Sequence, residues 1–169
     1  MNESTPSTVV LGLGNLMRSD DGVGMHAVSR LARDPRLPNG IRVVEGGTLG
    51  LELIYHVQDS RCLLVLDSVD ASEEPGTVMR FSGDSITQLP PNRSAHLVGL
   101  VELLNTLKLL GRAPREVVLL GVQPKTTVWG TTLSSPVETA LDFLVDSAIL
   151  QLSAWPPFPP QPMSRNHVS

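Results

Sequence analysis

At 169 residues and 41% hydrophobic content, the chain suits one compact domain with a single core, since domains cluster at roughly 100–150 residues. A formal net charge of −4 opposes a polyanionic partner and argues against nucleic acid. The single cysteine, Cys62, rules out an internal disulfide, the stretch before Val9 is short and polar, and no apolar run nears the roughly 20 residues that cross a bilayer; a cytoplasmic protein without membrane insertion is expected.

Thr8 to Leu13 reads as a fully buried strand. A helix follows over Gly22 to Ala32, where Val23, Ala27 and Leu31 recur at four-residue spacing. Ile41 to Glu45 is a second short strand. After Gly46-Gly47-Thr48, the segment Gly50 to Val57 carries Leu51, Ile54 and Tyr55 at helical spacing. Cys62 to Leu66 is an unbroken apolar strand that ends in Asp67. A Pro75-Gly76 turn precedes Val78 to Phe81, which alternates like an edge strand able to run antiparallel. Leu97 to Leu110 is a leucine-rich helix stopped by Gly111, and Glu116 to Val122 is the last strong strand. The final helix starts at Ser134 or Ser135, with Pro136 early and Glu138 completing a capping pattern, and reaches Leu152.

Alternating strands and helices predict an α/β domain over residues 1–152, built on a mostly parallel sheet with helices on its faces. Residues 153–169, with Trp155-Pro-Pro-Phe-Pro-Pro-Gln-Pro, form a proline-rich tail. It is expected to be extended and solvated, or else a docking segment that uses Trp155 and Phe158.

The run from Gly12 to Gly24 begins as a dinucleotide motif and departs from it. Gly12 and Gly14 require a third glycine where Met17 stands, and without it the helix is not expected to pack closely on the strand. Asp20 and Asp21 would also repel a pyrophosphate at the helix start. No phosphate loop, serine-hydrolase elbow or His-Glu-x-x-His zinc helix is present.

Helix capping accounts for one of the two acids. Asp21 follows the first strand and Asp67 ends the third, so both fall where open parallel sheets bind ligands. Two carboxylates in one crevice require a shared proton or a cation between them. His96, in Ser94-Ala-His-Leu, offers a nitrogen ligand that would complete a site for a first-row divalent ion. Spacing alone does not select His96, for which a surface histidine near a helix start with Ser94 as cap is the plainer reading. Gly46, Gly47 and Thr48 sit at another strand's C-terminal end, as backbone contacts for a substrate or as a tight turn with Thr48 capping the next helix. Cys62 lies at the opposite end of its strand from this crevice and reads as structural, as do His26 and His56 on their helices.

These residues resemble the nickel-iron hydrogenase maturation endopeptidases. The likeness rests on the Gly-x-Gly-Asn-x-x-x-x-Asp-Asp-Gly-x-Gly run from Gly12 to Gly24, Glu45-Gly46-Gly47-Thr48, the strand ending in Asp67, and Pro75-Gly76-Thr77. His96 with Leu97 and Gly99, Gly121-Val122-Gln123-Pro124, and Gly130-x-x-Leu133-Ser134 continue it. The resemblance implies a three-layer αβα sandwich with a twisted sheet of about five strands. It implies an endopeptidase that removes the C-terminal extension of the hydrogenase large subunit once nickel is in place. The family's metal-contacting acids fall on Asp21 and Asp67 and its histidine on His96; some members carry Glu where Asp21 stands. Nickel is then supplied by the large-subunit precursor rather than held by the free enzyme. Two other readings are a non-catalytic nickel checkpoint or chaperone, and a peptidyl-tRNA hydrolase-like esterase, which the acidic composition disfavours.

Overall fold

The structure, a computed structural model, describes residues 8–156. Five strands, β1 (Thr8–Leu13), β2 (Ile41–Gly47), β3 (Cys62–Ser68), β4 (Val78–Ser82) and β5 (Glu116–Val122), form one sheet in the order β2-β1-β3-β5-β4. β1 pairs in parallel with both β2 and β3, β3 pairs in parallel with β5, and β4 closes the far edge antiparallel to β5. The expected edge strand is therefore antiparallel.

Side chains alternate across the pleat and divide the core in two. Val10, Leu64, Leu66, Val118 and Leu120 face α1 (Val23–Leu31) and α5 (Ser135–Ala154). Val9, Leu11, Leu63, Val65 and Leu119 face the other side, covered by α2 (Ile54–Val57), α3 (Asp84–Thr87) and α4 (Leu97–Leu109). The result is a three-layer αβα sandwich. Burying each such Leu or Val contributes about 1.5–3 kcal/mol, which makes β1 and β3, buried along their whole length, the fixed centre of the molecule. Across α1 and α5, Arg30 pairs with Asp142 and Glu138.

Three local expectations are corrected. The close approach of helix to strand does occur, with Gly24 in place of the missing third glycine. A Cβ there would lie 2.2 Å from Leu66 O and 2.3 Å from Leu13 O. A 3-10 turn, Ser19–Gly22, is inserted before the helix and shifts the contact seven residues along from Met17. Of the apolar face predicted from Leu51, Ile54 and Tyr55, Leu51 and Tyr55 turn outward, Tyr55 77% exposed, while Ile54 packs partly buried against the core beside the buried Leu53 and Val57. The segment opens as a 3-10 turn, Leu51–Leu53, whose tighter winding of about three residues per turn changes the phase. The capping pattern expected from Ser134 or Ser135 with Glu138 does not form, and α5 has no side-chain cap hydrogen bond. The Ser134 hydroxyl donates to Asp20, and Glu138 accepts from Arg30.

α5 runs to Ala154, and Trp155 is buried against the core with its indole N–H donating to Glu116 at 2.8 Å. Phe158 and the rest of the proline-rich segment lie outside the described residues. Among the described residues no helix is long and apolar enough to cross a membrane.

Candidate active site

The chain leaves β1 for β2 on one side and then returns to place β3 on the other, so the sheet order reverses direction at β1. At such a point the loops after neighbouring strands part and leave a crevice beyond the strands' C-terminal ends. Gly12 pairs with Leu66, which brings the loop after β1 beside Asp67 at the end of β3. The N-terminal start of α4 adds His96. The cleft holds about 570 Å³ and is lined by residues of all three segments, Asp21, Ser68 and His96 among them.

Asp21, Asp67 and His96 meet there. His96 Nδ1 lies 3.0 Å from Asp67 Oδ1, and His96 Nε2 lies 3.5 Å from Asp21 Oδ2. All three are buried, with the Asp67 and His96 side chains 2% and 5% exposed. Asp67 is fully engaged: its Oδ1 also accepts the Ser68 N–H at 2.8 Å, and its Oδ2 accepts the Ser94 hydroxyl at 2.5 Å. Asp21 Oδ2 accepts the Asn15 N–H at 3.1 Å; its Oδ1 takes no hydrogen bond among the described residues. Burial opposes charge on the imidazole, but the Asp67 hydrogen bond and the charges of Asp67 and Asp21 outweigh it and hold the His96 pKa above its usual value. The ring thus lies between the two acids. Among the described residues no group of three or more His, Cys, Asp or Glu is arranged to hold a metal ion.

Asp20 does not cap α1. It is fully buried, and its carboxylate accepts the N–H groups of Lys125 and Thr126 at 2.8 and 3.0 Å, the Ser134 N–H at 2.7 Å and the Ser134 hydroxyl at 2.8 Å. The two acids therefore separate cleanly: Asp20 turns inward to fasten the loop after β5, and Asp21 turns toward the cleft. Thr48 lines the cleft, but it caps nothing; the turn after it begins at Gly50 without a side-chain cap. Gly47 adopts φ +57°, and its carbonyl accepts the Gly14 N–H at 2.9 Å, which ties this turn to the one after β1. Cys62 is buried at the other end of β3, where burial and Glu116 push its thiol up to about 11.

Sequence reasoning missed Ser94 as a partner of Asp67, having read it only as a cap; its hydroxyl also accepts the His96 N–H at 3.1 Å. It also missed Arg18, Lys125 and Trp129 on the cleft wall. Two cations among the loop residues were the available signal.

A family model described as hydrogenase maturation protease matches residues 25–151. The chain belongs to the hydrogenase maturation protease family. It is 37% identical over 145 residues to the hydrogenase expression/formation protein HupM of Azotobacter chroococcum mcd 1, covering 84% of this chain and 69% of that one. It is 28% identical to the hydrogenase 2 maturation protease of Escherichia coli (strain K12), covering 85% and 89%. Among solved structures, the maturating endopeptidase HybD of E. coli superposes with a TM-score of 0.78 at 26% identity, over 87% of this chain and 93% of that one. HybD of Thermococcus kodakarensis gives 0.74 at 30% identity over 86% and 98%. As a maturation protease the chain is a peptide hydrolase.

Proposed function

We propose that the protein removes a C-terminal extension from the large subunit of a nickel-iron hydrogenase, and that Asp21 and His96 recognise the nickel this substrate already carries. The arrangement of His96 carries the reading. With Nδ1 committed to Asp67, the ring presents Nε2 to the cleft 3.5 Å from Asp21 Oδ2, a separation at which one oxygen and one nitrogen can share a divalent ion at about 2.0–2.2 Å each. Two donors grip free metal weakly, but they suffice for an ion whose remaining ligands come with the substrate. Asp67 then serves His96 rather than the metal: a carboxylate on the far ring nitrogen fixes the tautomer and raises ligand basicity. The Nε2 proton departs as the metal arrives.

For hydrolysis, a water adds to the scissile carbonyl and the C–N bond breaks. Asp21 Oδ1, without a hydrogen bond among the described residues, is the acceptor placed to take the water's proton and return it to the leaving amine. The substrate's nickel polarises the reacting group or positions it. Thr48, with the Gly46-Gly47 turn behind it, borders the path of the peptide.

The test is to mix the purified protein, and an Asp21→Asn variant, with nickel-loaded and nickel-free large-subunit precursor and to weigh the products. Loss of a C-terminal peptide from the nickel-loaded precursor alone, with the unmodified protein alone, is the expected result. A stable complex without trimming would replace the peptidase with a nickel checkpoint.

A further inference from the structure

We propose that Arg18 and Lys125 form a subsite for a carboxylate carried by the segment that is removed, beside the Asp21–His96 pair. This presupposes that a C-terminal extension enters the cleft.

Both side chains line the same cleft as Asp21 and His96. Three other arginines are paired with carboxylates on the surface: Arg30 with Asp142, Arg36 with Asp34 and Asp146, Arg112 with Asp59. Arg93, the other cation of the cleft, donates to the Asp70 carbonyl at 3.1 Å and the Ser72 hydroxyl at 2.9 Å. Arg18 and Lys125 have no carboxylate partner among the described residues. Two cations thus line the cleft without a carboxylate of the described residues in ion-pair contact.

The wall that bears them is built rather than loose. Asp20 clasps the loop of Lys125 from beneath through Lys125, Thr126 and Ser134. Arg18 forms a parallel bridge with Gly130, the Ser19 N–H donates to Gly130 O at 2.8 Å, and the Gly130 N–H donates to Met17 O at 3.0 Å. Ser19 sits at φ +49°, held there by these bonds and by its hydroxyl on Val128 O. The Arg18 guanidinium lies over the Trp129 ring, 5.1 Å from its centroid. This cation–π contact holds the guanidinium on the cleft wall, and a guanidinium matches a carboxylate in two-point contact. Lys125 adds a point charge to the same cleft lining. An acidic side chain of the extension or the α-carboxylate at its end supplies the same chemistry.

The test measures binding separately from cleavage. Nickel-loaded precursor is prepared in three forms: natural, with every Asp and Glu of the extension changed to Asn or Gln, and with a C-terminal carboxamide introduced by ligation. The unmodified protein should bind one of the two altered forms about tenfold more weakly than the natural one, the size of a screened charge-assisted contact. The form that weakens identifies which carboxylate is held. An Arg18→Gln, Lys125→Gln variant should lose the same factor on the natural precursor, chiefly in KM, and nothing further on the altered form. Equal binding of all three forms by the unmodified protein would overturn the subsite even if trimming proceeds. Charge-dependent binding without trimming would leave the subsite standing and remove the peptidase reading.

Discussion

The Asp67 carboxylate holds His96 by Nδ1 at 3.0 Å and thereby aims Nε2 at Asp21. Replacing Asp67 by Asn keeps the size but removes the charge that fixes the ring. Trimming should fall by about 10–100-fold, the usual cost of losing a carboxylate behind a metal-facing histidine. Ser94→Ala, which removes the hydroxyl that donates to Asp67 Oδ2 and accepts the His96 N–H but leaves the Asp67 charge on the ring, should cost less. Initial rates from product masses, with melting curves to verify folding, check both.

The same contact sets a pH dependence for the metal-free protein. The folded-state pKa of His96 is raised above its ordinary value of 6.5, so protonation stabilises the fold. That contribution is complete below 6.5, declines as pH rises through the raised value, and is absent above it. Thermal unfolding followed from pH 5.5 upward should show this decline. In His96→Asn, it should be missing over that window.

Asp20→Ala leaves three backbone N–H groups and a hydroxyl without their buried acceptor. A loss of about 3 kcal/mol is expected, since each unsatisfied buried group costs about 1–3 kcal/mol and water re-entry recovers part of the sum. Hydrogen exchange should accelerate first at the amides of Lys125, Thr126 and Ser134. Uniform acceleration across β1 and β3 would show that Asp20 acts on the whole fold and not on this loop.

Gly24→Ala places a methyl group within 2.3 Å of two carbonyl oxygens, Leu66 O and Leu13 O. Backbone at the centre of the sheet must yield, and the loss should reach about 3 kcal/mol or more. The variant should accumulate poorly or melt far below the parent. An unchanged melting temperature would mean that α1 does not cross the sheet this closely.

Cys62 should take no part in the reaction. Its thiol is buried and pushed up to about 11, so alkylating reagents at pH 8 should modify it only after denaturation, and Cys62→Ala should trim at the parental rate. Rapid labelling of the native protein, read by intact mass, would contradict its placement.

The strands were legible because unbroken apolar runs such as Val9–Leu13 and Cys62–Leu66 have one physical use, burial on both faces of a parallel sheet. Once those were placed, the rule that ligands gather at strand C-termini located Asp21 and Asp67 with no knowledge of contacts. Asp20 was misread because capping is a local rule, while its partners lie 105 to 114 residues away. Ser134 was misread for the same reason, its hydroxyl drawn to a buried carboxylate in preference to its own helix. Arg18 and Trp129 are 111 positions apart in the sequence, and only the fold brings the loops after β1 and β5 together. Around Leu51 the failure was one of phase, since a short 3-10 turn rotates the face that a regular helical period predicts.

The central claim is that Asp21 and the substrate's nickel meet, and a thermodynamic cycle tests it most directly. Binding of nickel-loaded and nickel-free precursor is measured for the unmodified protein and for Asp21→Asn. The account predicts that nickel strengthens binding to the unmodified protein by at least about tenfold and that most of this gain vanishes in the variant. A nickel effect of the same size in both proteins would contradict it.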